Sequence, residues 1–256
     1  MKAVGIRFKN NPKIYDFLES EEKVEIGDLV IVETLFGEDV GAVVYIDKKI
    51  EKNNKPTQKM IRKTRPEDFE NQKQFEQEKE KYEKIFKECA NKYELEMKLV
   101  GTELSLEDKI IFLFTAENRV DFRDLVKELI KKTKRQVRLR QIGPRDESQY
   151  LGGFGQCGRQ ICCQKFLGTI ESVTMDMARD QNMASKGSSK ISGLCGRLMC
   201  CLSFEENTYK EILKSLPKIG DKIKTKEGVG RIIGINALKK KVEIELSEGA
   251  RMEVDL

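Results

Sequence analysis

The twelve residues from Gly155, GQCGRQICCQKF, return from Gly193 as GLCGRLMCCLSF. Aligned without a gap at an offset of 38 residues, the copies share Gly, Cys, Gly, Arg, Cys, Cys and Phe. Six of the seven cysteines lie in these copies: Cys157, Cys162, Cys163, Cys195, Cys200 and Cys201. Such a pattern demands the same local backbone twice, with thiols in matched places. Glycines on both sides of Cys157 and Cys195 leave the backbone free to curl. Thiolate is a soft ligand, suited to zinc, copper(I) or an iron–sulfur centre. All six are therefore candidate metal ligands.

The spacing bears on which metal. Structural zinc favours knuckles in which one short loop supplies two ligands. The C-x4-C-C gap is closer to cluster spacings. Adjacent cysteines on a helix point about 100° apart, at roughly 3.6 residues per turn. At most one of Cys162 and Cys163, and one of Cys200 and Cys201, is thus expected in a given centre. A four-cysteine site from Cys157, Cys195 and one of each pair is the simplest arithmetic. Each copy is expected to run from loop to helix, with its first cysteine near the helix start. There, with Arg159 and Arg197 nearby, the thiol pKa would fall. Two other readings stay open: cysteines packed as small apolar residues in ICCQKFL and LMCCLSF, and reversible thiol chemistry.

The chain holds no histidine. Ser-His and Cys-His nucleophile pairs and a histidine general base are excluded. GGFGQCG superficially resembles a phosphate loop but lacks its lysine and spacing. A non-enzymatic protein is expected. The N-terminus has no signal-peptide core, and no apolar run reaches the length of a membrane span. A cytoplasmic location is expected, where structural disulfides are rare.

The fold class expected is α+β: a central, mainly antiparallel sheet with helices on one face, flanked by small β-barrel-like N- and C-terminal segments. Residues 1–50 read as an N-terminal β segment, with AVGIRF, KIYDFL and two strands around a turn near Gly37. Residues 51–65 read as a basic linker. Residues 66–210 read as the α+β core carrying both cysteine copies, and 211–256 as a small C-terminal barrel. In the core, Pro66 opens a long helix whose apolar face holds Tyr82, Ile85, Phe86, Cys89 and Tyr93. Cys89 is expected to be a buried apolar residue. EMKLVGTELS and KIIFLFTAE read as strands. VDFRDLVKELIKKTK reads as a helix with Val120, Phe122, Leu125, Val126, Leu129 and Ile130 inward, and RQVRLRQIG as a further strand. TMDMARDQNMA reads as a helix and SKGSSKISG as a turn. Ile26-Gly27-Asp28 is echoed by Ile219-Gly220-Asp221, which points to two SH3-like units or to unrelated meanders with shared turn chemistry.

The net charge is +5, yet residues 119–145 alone carry ten Lys and Arg against three acids. Within this strip Lys131, Lys132, Lys134, Arg135, Arg138 and Arg140 are candidate contacts for an RNA backbone. A solvated helix face with a basic last turn is the alternative. No RRM-type aromatic motif is visible, so any such contact is charge-led.

GGFGQCGRQICCQKFLG, followed by DQNMASKGSSKISGLCGRLMCCLSFE, resembles the polymerase-suppressor (PSP-type) C-terminal domain family, in particular its bacterial YaaT/RicT-type stage 0 sporulation regulators. The chain carries Gly187-Ser188-Ser189-Lys190 where that family commonly has Asn-Pro-Thr-Lys; the proline is lost and the lysine kept. The resemblance implies a complex with two small helical partners of the YlbF and YmcA type. It also implies an iron–sulfur cluster of the 4Fe–4S kind on the six cysteines, with zinc as the alternative. It further implies a link to the endoribonuclease RNase Y and mRNA maturation, with effects on sporulation, competence, biofilm formation and the phosphorelay. Relatives tied to RNA binding imply a second possibility, a direct RNA-binding module with structural or zinc-binding cysteines.

Overall fold

The computed structural model describes residues 2–9, 11–34, 37–49, 58–247 and 249–255. The chain divides into two compact units: residues 1–154 with 159–168, and residues 155–158 with 169–256. The architecture is α+β, with three mainly antiparallel sheets and seven α-helices among the described residues. No helix there is long and apolar enough to cross a membrane.

The first unit opens with β1 (Lys2–Phe8), β2 (Ile14–Leu18), β3 (Leu29–Thr34), β4 (Gly37–Lys49) and β5 (Met60–Lys63). Their sheet order is β2-β1-β4-β3-β5. Alternation turns Val4, Ile6, Phe17, Val30, Val32, Val43 and Met60 onto one inner face. The sheet curls until its edges meet at a single bridge, Leu18 to Lys59. It stays open, without the full ladder a closed barrel needs. Residues 51–57 of the expected linker lie outside the described residues, and Met60–Lys63 beyond them is an edge strand rather than linker. Met60 is buried there, and Arg62 makes a two-pronged ion pair with Asp68, at 2.7 and 2.8 Å.

A 3-10 turn at Pro66–Phe69 leads into α1 (Glu70–Lys92). A three-stranded sheet comes next, from β6 (Lys98–Leu104), β7 (Ile110–Thr115) and β8 (Val137–Gln141), with α2 (Arg123–Thr133) between the last two. β6 and β7 are antiparallel; β7 and β8 are parallel, as a connection through a helix allows. Ile110, Phe112 and Phe114 pack with Phe75, Tyr82, Phe86 and Cys89 of α1 and with Leu125 and Leu129 of α2. Burial pushes the Cys89 thiol pKa up, which keeps it protonated and inert. Two expected inward residues face out: Ile130 and Tyr93 are exposed. Tyr93 ends its helix and donates its hydroxyl to Glu128 at 2.7 Å. The unit ends with α3 (Pro144–Leu151), unforeseen from sequence, and the one-turn α4 (Cys162–Lys165).

The second unit holds α5 (Met175–Asp180), α6 (Ser188–Ile191) and α7 (Cys200–Lys214). Ala178, Ile191 and Leu202 form their small shared core. SKGSSKISG is thus a one-turn helix in its middle, not a turn alone. The open meander β9 (Lys222–Thr225), β10 (Gly228–Asn236), β11 (Lys241–Leu246) and β12 (Arg251–Asp255) completes the unit, in place of a closed barrel.

The two Ile-Gly-Asp triplets make one device. The Gly27 N–H donates to the Val43 carbonyl, the Val43 N–H donates to the Asp28 carbonyl, and the Asp28 carboxylate takes the Glu25 N–H. Gly220, Asp221, Ile232 and Lys218 repeat all three bonds. Both glycines sit at φ 98°, and Ile26 and Ile219 are 67% and 65% exposed. A left-handed φ of that size is what glycine alone adopts cheaply. Each triplet therefore launches a strand, β3 or β9, against a longer neighbour.

Candidate functional site

Both cysteine copies fold into the same short structure. In the first, Phe154 and Gln160 form an isolated bridge; in the second, Ser192 and Leu198 do. Between them the chain turns tightly, with Gly158 N–H to Gly155 O at 2.9 Å and Gly196 N–H to Gly193 O at 3.0 Å. Gly158 and Gly196 sit at φ 73° and 74°, and a Cβ on either would meet no atom within 4 Å. Backbone torsion, not crowding, reserves these positions for glycine.

Cys157 and Cys195 therefore ride on turn tips, each just before its left-handed glycine. They do not sit at a helix start, as sequence reasoning had them. That place goes to Cys162 and Cys200, the first residues of α4 and α7. Cys157 is exposed, and Cys162, Cys195, Cys200 and Cys201 are half-buried. Cys163 is buried beside Ile161. Adjacent cysteines thus do diverge in the first copy, as helix geometry requires. None of these cysteines is in a disulfide.

Residues 155–158 belong with the second unit, and one side chain fastens them there. The Gln156 amide donates to the carbonyls of Ser189 and of Ser192, the latter at 3.2 Å. Ser192 opens the second copy's bridge, so the turn bearing Cys157 is tied to the start of the turn bearing Cys195. Cys162 and Cys163 belong to the first unit. Among the described residues no three His, Cys, Asp or Glu side chains gather into a metal-holding group.

The six basic candidates fall into two groups. Val137 and Leu139 pack into the core with α1 and α2, so alternation turns Arg138 and Arg140 to the opposite sheet face. Lys131 and Lys132 end α2 and Lys134 caps it in left-handed conformation, φ 57°. Lys132 lies within 4 Å of both Glu88 and Glu128. Arg135 pairs with Asp108 at 2.8 Å and lies over the Tyr82 ring. The helix lysines and the strand arginines therefore do not form one strip.

Sequence comparison adds the family. The PSP1 C-terminal conserved region matches residues 58–142, which hold the three-stranded sheet and all six basic candidates. It ends upstream of both cysteine copies. The third domain of PSP1-like proteins matches residues 172–216, spanning the whole second cysteine copy. No solved structure matches the chain. Stage 0 sporulation protein YaaT of Bacillus subtilis (strain 168) is 42% identical over 250 residues, 95% of this chain and 90% of that protein. With both PSP1 regions present and that identity running almost end to end, the chain belongs to the PSP1 family of YaaT-type stage 0 sporulation proteins.

Proposed function

We propose that this protein is a non-catalytic regulator of mRNA processing, cytoplasmic in its site of action, which holds an iron–sulfur cluster of the 4Fe–4S kind. It works in a complex with YlbF- and YmcA-like helical proteins and modulates RNase Y, with effects on sporulation, competence and biofilm formation. The observation that carries this reading is the pair of similar cysteine turns tied together by Gln156. Thiols on glycine-shaped turns and at helix starts fit a soft metal centre. Cys157, Cys195 and Cys200, all carried by the second unit, are this chain's donors for it; Cys163 packs inward. The donors that complete the centre come from the partner chains. A bound cluster supplies cross-linking of the segments that carry its thiols. This chain's own part is to fix the turns, through Gly158, Gly196 and the Gln156 tether.

Anaerobic purification with and without the two partners, followed by iron and sulfide analysis, tests the reading. The complex is expected to hold iron and sulfide in equal amounts, and Cys157→Ser with Cys195→Ser to lose them together with RNase Y-dependent transcript cleavage. A colourless complex free of iron and zinc, with partner binding intact, sinks it.

A further inference from the structure

The three-stranded sheet ends at β8, and among the described residues no strand pairs with the outer side of β8. The Ile110 N–H donates to the Gln136 carbonyl, and the Ile142 N–H to the Phe114 carbonyl. β7 and β8 run in unbroken parallel register, so the even-numbered residues of β8 turn their backbone groups toward β7. The N–H and C=O of Val137, Leu139 and Gln141 point off the sheet. Edges of this kind are guarded elsewhere by lysine, proline or a bulge. β6, at the other side of the same sheet, has a register shift between Leu99 and Gly101. β8, Val-Arg-Leu-Arg-Gln, has none of these devices.

Two rows of side chains border the edge. The first belongs to α2. α1 lies over β6 and α2 over β8. α1 meets α2 through Glu128 and Lys132: Lys92 reaches Glu128 at 2.9 Å, and Lys132 lies 3.9 Å from Glu88. At about 100° per residue, Val126, Ile130 and Lys134 fall on the side of α2 turned away from α1, which is the side beyond β8. Ile130 is 41% exposed there, and Lys134 is exposed beside it. The second row lies on the opposite sheet face, where Arg138 and Arg140 are both exposed. Arg140 also borders a half-open cavity with Asp39 and Glu103. Those acids belong to β4 and β6; β8 and the outer side of α2 carry none. The edge is thus apolar above, cationic below, with open backbone groups between.

That arrangement selects an occupant. A second copy of β8 fits badly, because antiparallel pairing about Leu139 sets the arginines of one strand against those of the other. An incoming strand fits when its apolar side chains lie under Val126 and Ile130 and its acids lie beside Arg138 and Arg140. Alternation along a strand supplies that pattern. We propose that β8 is a docking edge for an extended segment of a partner protein in which apolar and acidic residues alternate, and which adds to the sheet as a further strand. Backbone bonds to Val137, Leu139 and Gln141 give affinity, and the two rows of side chains give specificity. The edge is separate from the cysteine turns, and its docking needs no metal centre.

The probe is the capped, fluorophore-labelled peptide Gly-Val-Glu-Val-Glu-Val-Gly, read by anisotropy against the full-length protein. It is expected to bind, and the same peptide with lysine in place of glutamate to bind about tenfold more weakly or worse. Every second residue of a strand turns its amide to the same side. N-methylation of the valine amides, or of the glutamate amides, should therefore abolish binding in one of the two peptides and spare the other; which one is lost gives the strand direction. Arg138 and Ile130 are exposed, so their variants should keep the melting temperature. Arg138→Glu is expected to weaken the probe about tenfold, and Ile130→Ser about threefold. No binding, equal binding of the lysine peptide, or equal behaviour of the two methylated peptides overturns the proposal. So does an oligouridylate that binds through Arg138 while the peptide does not, which would give the arginines to nucleic acid. The peptide comparisons use the unmutated protein, so they stand even if a variant fails to fold.

Discussion

The two cysteine copies start alike and end differently. Up to the first helical residue they share a bridge, a glycine turn, then Cys162 or Cys200 opening a helix, and the second copy adds one bond, from the Gly193 N–H to the Arg197 carbonyl. After that the first helix runs four residues and the second fifteen. The reason lies in the residue just after each cysteine pair. The second copy places Leu202 where the first has Gln164, and Leu202 is buried against Ala178 and Ile191. The first copy has no such anchor: Gln164 stays half-buried and accepts a bond from Gln160 at 2.9 Å. The turns were kept for what they present, while the helices were left to whatever core lay beneath them.

The sharpest way to break this contrast is to remove the anchor. Leu202→Ala empties a buried site and is expected to cost ~2–5 kcal/mol. Its counterpart Gln164→Ala should stay within about 0.5 kcal/mol. Amide exchange separates the two outcomes: protection along α7 collapses in the first variant, and protection in α4 hardly changes in the second. Equal losses would mean that the copies share their stability as well as their shape.

Much of this was legible in advance, because repeated sequence announces repeated geometry. The matched glycines foretold the turns, and the Ile-Gly-Asp echo turned out to be one hydrogen-bonded device used twice. Helical spacing placed Ile85, Phe86 and Cys89 in the core. What escaped had weak or borrowed signals. Only Met60 of β5 faces inward, so its basic neighbours read as linker. α3 is eight residues long and has no buried residue, although Pro144 at its start and the Asp146 carboxylate on the Gly143 N–H, at 3.2 Å, were there to be read. Arg138 and Arg140 are exposed, on the sheet face that alternation assigned them. The cavity beside Arg140 was not legible, because Asp39, Glu103 and Arg140 come from three separate strands.

A second test sharpens the part the copies share. Gly158→Ala and Gly196→Ala put a Cβ into open space at φ 73° and 74°. Each should cost roughly 1–2 kcal/mol from torsion alone, with the two values agreeing. Asparagine, which tolerates this conformation better, should recover part of each loss. Denaturant titrations of the four variants give the comparison. A much larger cost in one copy would show that its turn is strained by its surroundings and not by its own backbone.

The smallest expected effect concerns the tether. Gln156 and Leu194 are counterparts, yet only Gln156 reaches the neighbouring copy, through the carbonyls of Ser189 and Ser192. Gln156→Leu makes the turns chemically alike and removes both bonds. Hydrogen bonds of this kind contribute ~0.5–1.5 kcal/mol each, and exposure to water puts these near the low end. The protein should therefore remain folded while the Gly158 amide exchanges faster and Cys157 reacts more rapidly with a thiol reagent. Leu194→Gln should change neither rate at Cys157. If the Gln156→Leu protein keeps its exchange and labelling rates, the turns are held by their own bridges, and the asymmetry between the copies begins only at the helices.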